Sequence, residues 1–438
     1  MGLKTFPGGI HPADSKSYAE NAAIETMPLP KKVVIPLSQH IGAPAKACVK
    51  VGDEVLVGQV IAEAGGFVSI PMHASISGKI TKIDLFDHPS GIKSPAIEIT
   101  GNGEDNWVKL SDDNVETLSV DELKKRISAA GVCGMGGAGF PTHVKLSPPA
   151  ENPIDTVILN GVECEPYLTA DYRIMLERAE DIIAGLKILM KTVNAKKGII
   201  GIEANKPKAI KHMKELVKNE TNISVVSLKV KYPQGAEKQL IYATTKRKVP
   251  NKGGLPMQVG VVVQNVGTAV AVYEACRYEK PLIERIITVT GKIVKNPKNL
   301  KARIGTKYSD LLEYCGGTSE EIGKAISGGP MMGAAVPNLE APMAKTSSGL
   351  LIFNRAEAHK EDESTCIRCG RCVDVCPMNI VPSLIVHNVR YDDIDEAERY
   401  GVMDCIKCGS CAYVCPSHIK LIQWIDIGKL KVSQKNRK

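Results

Sequence analysis

The spacing of apolar residues changes several times along this chain, and each change predicts a different kind of structure. Up to residue 105 they alternate over short runs at 47–51, 54–57, 78–83 and 96–100, each closed by Gly, Pro, Asp or Ser within a few positions. Alternation interrupted that often predicts a small β-barrel or sandwich. From 114 to 278, β-branched runs at 156–160, 198–203, 223–230 and 259–263 are separated by segments of three-to-four spacing. The longest of these, 172–193, carries Ile174, Leu176, Ala179, Ile182, Ile183, Leu186 and Leu189, and 206–217 and 235–244 follow the same period. Strand and helix in alternation predict a mostly parallel sheet covered by helices. A third block, from about 281 to 342, contains the segments 287–294 and 304–306, and beyond 358 a helical stretch at 382–399 separates two groups of cysteines. The boundaries expected from these shifts are 1–110, 114–278, 281–345 and 358–425, with a basic tail over 426–438.

Length and composition set the scale. At 438 residues the chain has room for roughly three domains with cores of their own, and its 43% hydrophobic content excludes a disordered protein. The net charge of +8 gathers at 196–252 and 429–438. These lysines read either as a solvated face and a frayed tail, or as a surface for an acidic partner, a membrane or a nucleotide phosphate. Aromatics are only 4%, without basic–aromatic interleaving, which argues against nucleic acid. No apolar run approaches the ~18 residues of a membrane span, and no charged-then-apolar opening predicts a secretion signal.

The cysteines bring in the chemistry. Cys366, Cys369, Cys372 and Cys376 precede Pro377, and the same spacing recurs at Cys405, Cys408, Cys411 and Cys415 before Pro416. A structural zinc site is the other reading, but zinc ribbons usually show two separated pairs rather than two tight quartets ending in Pro. The repeated C-x2-C-x2-C-x3-C-P run resembles two-cluster ferredoxins, in which three close thiolates hold one [4Fe-4S] cube and the fourth crosses to its partner. That resemblance assigns Cys366, Cys369, Cys372 and Cys415 to one cluster, and Cys405, Cys408, Cys411 and Cys376 to the other. Such clusters need reduced thiols, hence a cytoplasmic location. The helical stretch between the quartets suggests an α-helical ferredoxin module.

A second set of motifs lies upstream. Gly134-Met135-Gly136-Gly137-Ala138-Gly139 satisfies G-x-G-x-x-G, but a helix at 121–130 runs into it where a dinucleotide fingerprint needs a strand. Taken alone, the glycines read equally as a tight turn or as bare backbone for a phosphate. Likewise Glu163 and Glu165 read as exposed turn carboxylates, and Phe140 as a core residue. Together with Phe140, Lys145, Asn160, Glu163, Glu165, Tyr232, Gly235, Glu237 and Asn265, the loop resembles the FMN and NADH site of the flavoprotein subunit of respiratory complex I. Phe6-Pro7-Gly8-Gly9-Ile10-His11-Pro12 and 35–42 are more specifically similar to the RnfC family, a component of the Rnf ion-pumping electron-transport complexes.

The resemblance implies a fold and a function. It implies an N-terminal barrel-sandwich hybrid, a complex I flavoprotein-like α/β domain, a soluble-ligand-binding β-grasp domain and the cluster module. The barrel resembles biotinyl and lipoyl carriers, yet the turn at 70–74 offers no lysine, so no swinging arm is expected. Non-covalent FMN is expected over Gly134, Gly136 and Gly137, their N–H groups holding its phosphate and Lys145 adding charge. Asn160 and Asn265 are expected on the flavin, Glu163, Glu165, Tyr232, Gly235 and Glu237 on flavin or NAD(H), and Phe140 against the dinucleotide. No general acid or base is named, because the cofactor carries the hydride chemistry. The implied protein is peripheral, on the cytoplasmic face of the cell membrane, and partnered by other Rnf subunits and, through them, by ferredoxin. A cobalamin reductase of diol-degrading microcompartments and a flavin-free iron–sulfur relay are the alternatives.

Overall fold

The computed structural model describes residues 2–359 and 361–436. Arg437 and Lys438, the end of the expected basic tail, lie outside the described residues.

Residues 32–101 form two small antiparallel sheets. One orders Lys32–Pro36, Lys93–Gly101, Gly78–Asp87 and Glu54–Val55; the other orders Lys46–Ala47, Val60–Glu63 and Met72–His73. Alternation decides which side chains enter the core: Ile80, Ile97 and Ile99 point inward and are fully buried, while Lys79 and Glu98 lie on the opposite side of their strands. The strand expected at 47–51 ends at Ala47, because the Lys50 N–H donates to the Asp53 carboxylate at 2.8 Å and turns the chain. The turn expected at 70–74 is also corrected. It holds the strand Met72–His73, with Ile70, Met72 and Ala74 fully buried, so this part of the barrel is wedged into the molecule.

The α/β unit carries an all-parallel sheet ordered Ile223–Leu228, Lys197–Glu203, Thr156–Gly161, Val261–Asn265. The helical segment expected over 172–193 is broken at Arg178 into Ala170–Glu177 and Ala179–Thr192, and the Arg178 guanidinium is held by Asp181 and Glu274. The last strand starts at Val261 rather than 259, because Gly260, in the left-handed region, closes the turn Pro256–Val259 before it. The helix Val266–Tyr278 is not foreshadowed by the spacing; its opening, Val266-Gly267-Thr268-Ala269-Val270, continues the β-branched character of the strand before it. Only the Asn265 side chain, accepting from the Gly267 N–H at 2.8 Å, marks the change of structure.

A six-stranded mixed sheet follows, ordered Ile24–Thr26, Lys298–Arg303, Glu284–Thr290, Gly349–Asn354, Ile322–Ser327, Ala334–Ala335. It takes its edge strand from the N-terminal arm and runs beyond residue 345, so the expected boundaries at 1–110 and 281–345 both cut through it. The arm reaches that edge along the α/β unit, pairing Lys4 with Leu228 and Ile10 with Tyr232 on the way.

The cysteine module is helical. Pro382–Arg390, Ile394–Arg399 and Leu421–Lys435 pack around Ile385, Val389, Ala397, Val402, Ile425 and Val432. The described part of the expected tail, through Lys435, therefore forms the last turns of an amphipathic helix. It buries Ile425, Gly428 and Val432, while Lys431 and Lys435 pair with Asp392 and Asp395.

Helix Ala179–Thr192 crosses Val266–Tyr278 so closely that a Cβ on Gly185 would collide with the Ala269 carbonyl oxygen. Gly185→Ala forces the helices apart, and overpacking of this kind costs about 1–3 kcal/mol. The expected outcome is a lower denaturation midpoint by far-UV circular dichroism; an unchanged midpoint would contradict this packing.

Candidate functional site

Strand order creates the site. From Thr156–Gly161 the chain builds outward through Lys197–Glu203 to Ile223–Leu228, then returns to add Val261–Asn265 on the other side. In such sheets a crevice opens at the carboxyl ends of the two strands where the winding reverses, and ligands bind there. Asn160 and Asn265 are register partners at that point. Sequence reasoning paired these residues by resemblance alone; the winding reversal is visible only in the order of the strands.

The glycine loop lies across the crevice. Gly136 would put a Cβ 3.5 Å from the Asn265 Cβ, and the Met135 N–H donates to the Thr268 hydroxyl at 2.9 Å. Gly134 closes the base of the loop by donating to the Phe140 carbonyl at 2.9 Å. Gly136, Gly137 and Ala138 are exposed, and Gly137, with φ 122°, has nothing within 4 Å of where a Cβ would stand. The loop thus presents side-chain-free backbone beside the N-terminus of Val266–Tyr278, where helix dipole and free N–H groups favour an anion. A flavin phosphate fits such a cradle. Lys145 and Glu237 pair at 2.6 Å and stay partly exposed, and Phe140 is partly exposed.

The remaining expected contacts are used within the protein. Asn160 donates to the Gly235 carbonyl at 2.8 Å and accepts from the Val162 N–H at 3.1 Å. Asn265 caps its helix and donates to Asp171 at 2.7 Å. The Gly235 N–H faces the Cys164 sulfur at 3.2 Å. Glu163 accepts from the Asp171 and Tyr172 N–H groups, capping Ala170–Glu177. Glu165 accepts from the Met331 and Met332 N–H groups at 3.0 and 2.9 Å. These residues shape the crevice walls, because a polar atom there must find a partner even before a ligand arrives.

Tyr232 requires a further correction. Its ring is buried and its hydroxyl donates to the Cys408 carbonyl at 2.7 Å, so it braces a cysteine loop.

Buried charge surrounds these walls. Lys16, from the N-terminal arm, donates to the Glu165 and Leu168 carbonyls at 2.9 and 2.6 Å, and Lys206 donates to the Val162 carbonyl at 2.7 Å. Burial pushes the Glu165 carboxyl up to about 7, against the two N–H bonds that pull it down. Burial raises Glu163 and Asp171 as well, Lys16 opposing it first at Glu163 and Arg285 first at Asp171. Sequence reasoning missed Lys16, Asp171, Lys206 and Arg285, whose roles depend on long-range contacts that no local pattern encodes.

The cysteines divide between two environments. Cys376, Cys405, Cys408 and Cys411 line one small cavity together with Pro377, Met378, Ile380 and Ile406. Cys376, Cys408 and Cys411 are 8%, 6% and 6% exposed, whereas Cys366 and Cys369 are exposed. Burial pushes the Cys405 thiol up to about 11 and raises Cys376 and Cys411; Cys411 also feels Cys405, Cys408 and Cys376. Cys372 is raised first by burial, and it also feels Cys415. Cys376 thus shares a cavity with Cys405, Cys408 and Cys411, while Cys415 lies near enough to Cys372 to bear on its thiol. Among the described residues no three His, Cys, Asp or Glu side chains converge as ligands of a single ion. Two iron–sulfur cubes suit this donor set, since each holds four thiolates farther apart than one zinc would, and their iron favours the thiolate form that burial opposes.

Comparison with known proteins follows the same division. The RnfC barrel sandwich hybrid domain family matches residues 4–104, the Nuo51 FMN-binding domain 127–274, the SLBB domain 286–335 and the 4Fe-4S dicluster domain 358–416. The C component of a proton-translocating ferredoxin:NAD(+) oxidoreductase complex from Clostridium ljungdahlii is 51% identical over 97% of this chain and 93% of its own length. Its Na(+)-translocating counterpart from Acetobacterium woodii is 44% identical over 99% and 98%. The corresponding component of an ion-translocating oxidoreductase complex from Haemophilus influenzae is 42% identical over 99% of this chain and 67% of its own. Among solved structures, an NAD+-reducing [NiFe]-hydrogenase in the H2-reduced state matches with a TM-score of 0.50 at 15% identity, over 74% of this chain and 67% of that one, a likeness of fold alone.

Two outcomes follow from the walls of the site. Tyr232→Phe leaves the Cys408 carbonyl without its donor, a loss of about 1–2 kcal/mol; a chelator is expected to strip iron from the buried cluster faster, with flavin affinity unchanged. An unchanged rate of iron loss would count against the brace. Glu165 titrates near 4.5 unfolded and near 7 folded, so the stability it adds is complete below pH 4.5 and disappears as the pH rises through 7. Stability measured between pH 5.5 and 8 should therefore fall less steeply in Glu165→Gln than in the wild type, by at most about 1.4 kcal/mol per pH unit; parallel curves would show that Glu165 is ionised throughout.

Proposed function

The chain belongs to the RnfC family of ion-translocating ferredoxin:NAD(+) oxidoreductase complexes, and from that membership we propose that it exchanges electrons between NAD(H) and its partner subunits through FMN and two [4Fe-4S] clusters. The observation that carries the proposal is the shared wall between crevice and cluster loop. Tyr232, two residues before the Gln234-Gly235 turn of the crevice, donates to the Cys408 carbonyl. On a second line, Glu165 holds Met331, whose carbonyl oxygen lies 3.1 Å from where a Cβ on Gly409 would stand. A two-electron site and a one-electron wire are therefore in direct contact through the protein.

FMN, when bound, supplies the exchange between paired electrons from a hydride and single electrons for the clusters. Gly136 and Gly137 receive its phosphate with backbone N–H groups, and Lys145 and Glu237 border the opening through which NAD(H) enters. Asn160, Glu163, Glu165 and Asn265 act one step back by holding the walls in register. Phe140, partly exposed, is available to pack against a base. The more buried quartet of Cys376, Cys405, Cys408 and Cys411 is next in line, and the quartet of Cys366, Cys369, Cys372 and Cys415, whose first two members are exposed, meets the partner.

No helix among the described residues is long and apolar enough to cross a membrane. On the family's account we assign ion movement to other subunits of the complex and this chain to its peripheral, cytoplasmic side. Electrons from reduced ferredoxin arrive through those subunits. The relatives described above are named for ion-translocating complexes, which favours this assignment over a cobalamin reductase.

The test is anaerobic purification with iron reconstitution, then quantification of FMN, iron and sulfide, then addition of NADH. We expect eight irons and one FMN per chain, bleaching of the flavin and EPR-detectable reduction of the clusters. Eight irons with no flavin and no response to NADH would instead establish the flavin-free relay.

A further inference from the structure

We propose that Arg285 and Lys345, two buried cations beneath the glycine loop, make the site select a phosphorylated flavin over the same flavin without its phosphate. The inference rests on reading the Gly134–Gly139 loop as a flavin site, and it assigns a specificity to residues outside the motifs that led to that reading.

Both side chains grip the backbone that leads into the loop. Arg285, 5% exposed, donates to the carbonyls of Met135 at 2.6 Å, Lys345 at 2.8 Å and Ser347. Lys345, 2% exposed, donates to the carbonyls of Gly131 at 2.7 Å and Pro71 at 3.3 Å. Every one of these acceptors is neutral. Neither cation makes an ion pair among the described residues; Asp171, whose charge bears most on Arg285, spends its hydrogen bond on Asn265.

Two consequences follow for the loop. A trans peptide points its N–H opposite to its C=O. Because Arg285 draws the Met135 carbonyl inward, the Gly136 N–H of the same peptide faces away from the core, on the open side where Gly136 to Ala138 are exposed. The second consequence is electrostatic. Buried cations with no carboxylate within ion-pair reach are unfavourable even where one, as Asp171 for Arg285, stands farther off, and apolar side chains of similar volume are often more stable in their place. An anion arriving above the loop, at the N-terminus of Val266–Tyr278, relieves that imbalance. A phosphate carries the charge to do so, and the bare ribityl hydroxyl of riboflavin does not.

Full-length protein carrying its clusters but stripped of flavin is equilibrated with FMN or with riboflavin, and the free flavin is read by fluorescence after ultrafiltration. The wild type should bind FMN on the order of a hundredfold tighter than riboflavin. Lys345→Met and Arg285→Met should each weaken FMN binding by about tenfold or more while leaving riboflavin binding within about threefold. Arg285→Lys, which keeps the charge and loses the fork, should retain part of the preference. Equal losses for both flavins would reduce the two residues to scaffolding and overturn the inference, as would an undiminished FMN preference in both Met variants. If Arg285→Met does not fold, Lys345→Met decides alone by the same comparison. A wild type that binds both flavins alike overturns the selection and leaves the flavin site standing; one that binds neither removes the site itself.

Discussion

The hydrogen bond from the Tyr232 hydroxyl to the Cys408 carbonyl ties a cluster-binding loop to the wall of the crevice, and the rest of the architecture serves to keep that junction fixed. Electron transfer weakens steeply with separation, so two modules that exchange electrons cannot drift apart. The N-terminal arm wedges the junction from a third side. Ile10 pairs with Tyr232 through both backbone groups, and the Gly9 N–H donates to the Val375 carbonyl at 2.8 Å. A Cβ on Gly8 would lie 2.9 Å from the Cys376 carbonyl oxygen, and one on Gly9 would lie 2.6 Å from that of Tyr232. The paired glycines of the arm thus have a physical reason: two backbones and a cysteine loop meet with no room for side chains, at left-handed φ values of 76° and 83°.

The domains around the crevice are its walls more than separate machines. The barrel presses the Ile41 N–H onto the Gly139 carbonyl and supplies the Pro71 carbonyl to Lys345. The six-stranded sheet sends Arg285 under the glycine loop and Met331 toward Gly409. Lys16 joins the arm to the floor beneath Glu165. A small ligand site is thereby held from three directions, which suits a cofactor that must be oriented toward both a dinucleotide and a cluster.

The legible parts of this chain are those set by local spacing. Strand alternation at Gly78–Asp87 and Lys93–Gly101, the β-branched runs of the parallel sheet and the cysteine quartets all follow from short-range pattern. Val266–Tyr278 is hidden because its valines resemble a strand until packing against Gly185 makes the segment a helix. The site is legible in its motifs and obscure in its roles. Tyr232 was expected on a cofactor and serves the neighbouring cysteine loop; Glu163 and Glu165 were expected at ligands and hold a helix end and a methionine turn. No sequence window contains Lys16 with Glu165, or Arg285 with Lys345, so these two contacts needed the fold.

Electrons are expected to pass in a fixed order, from the crevice to the buried quartet and then to the exposed quartet. Freeze-quenched EPR after mixing with NADH, compared between wild type and a Cys376→Ser variant, tests that order directly. The cluster held by Cys376, Cys405, Cys408 and Cys411 should be reduced first in the wild type, and the variant should delay reduction of the other cluster while flavin bleaching keeps its rate. Reduction of the exposed cluster first, or at an undiminished rate in the variant, would contradict it.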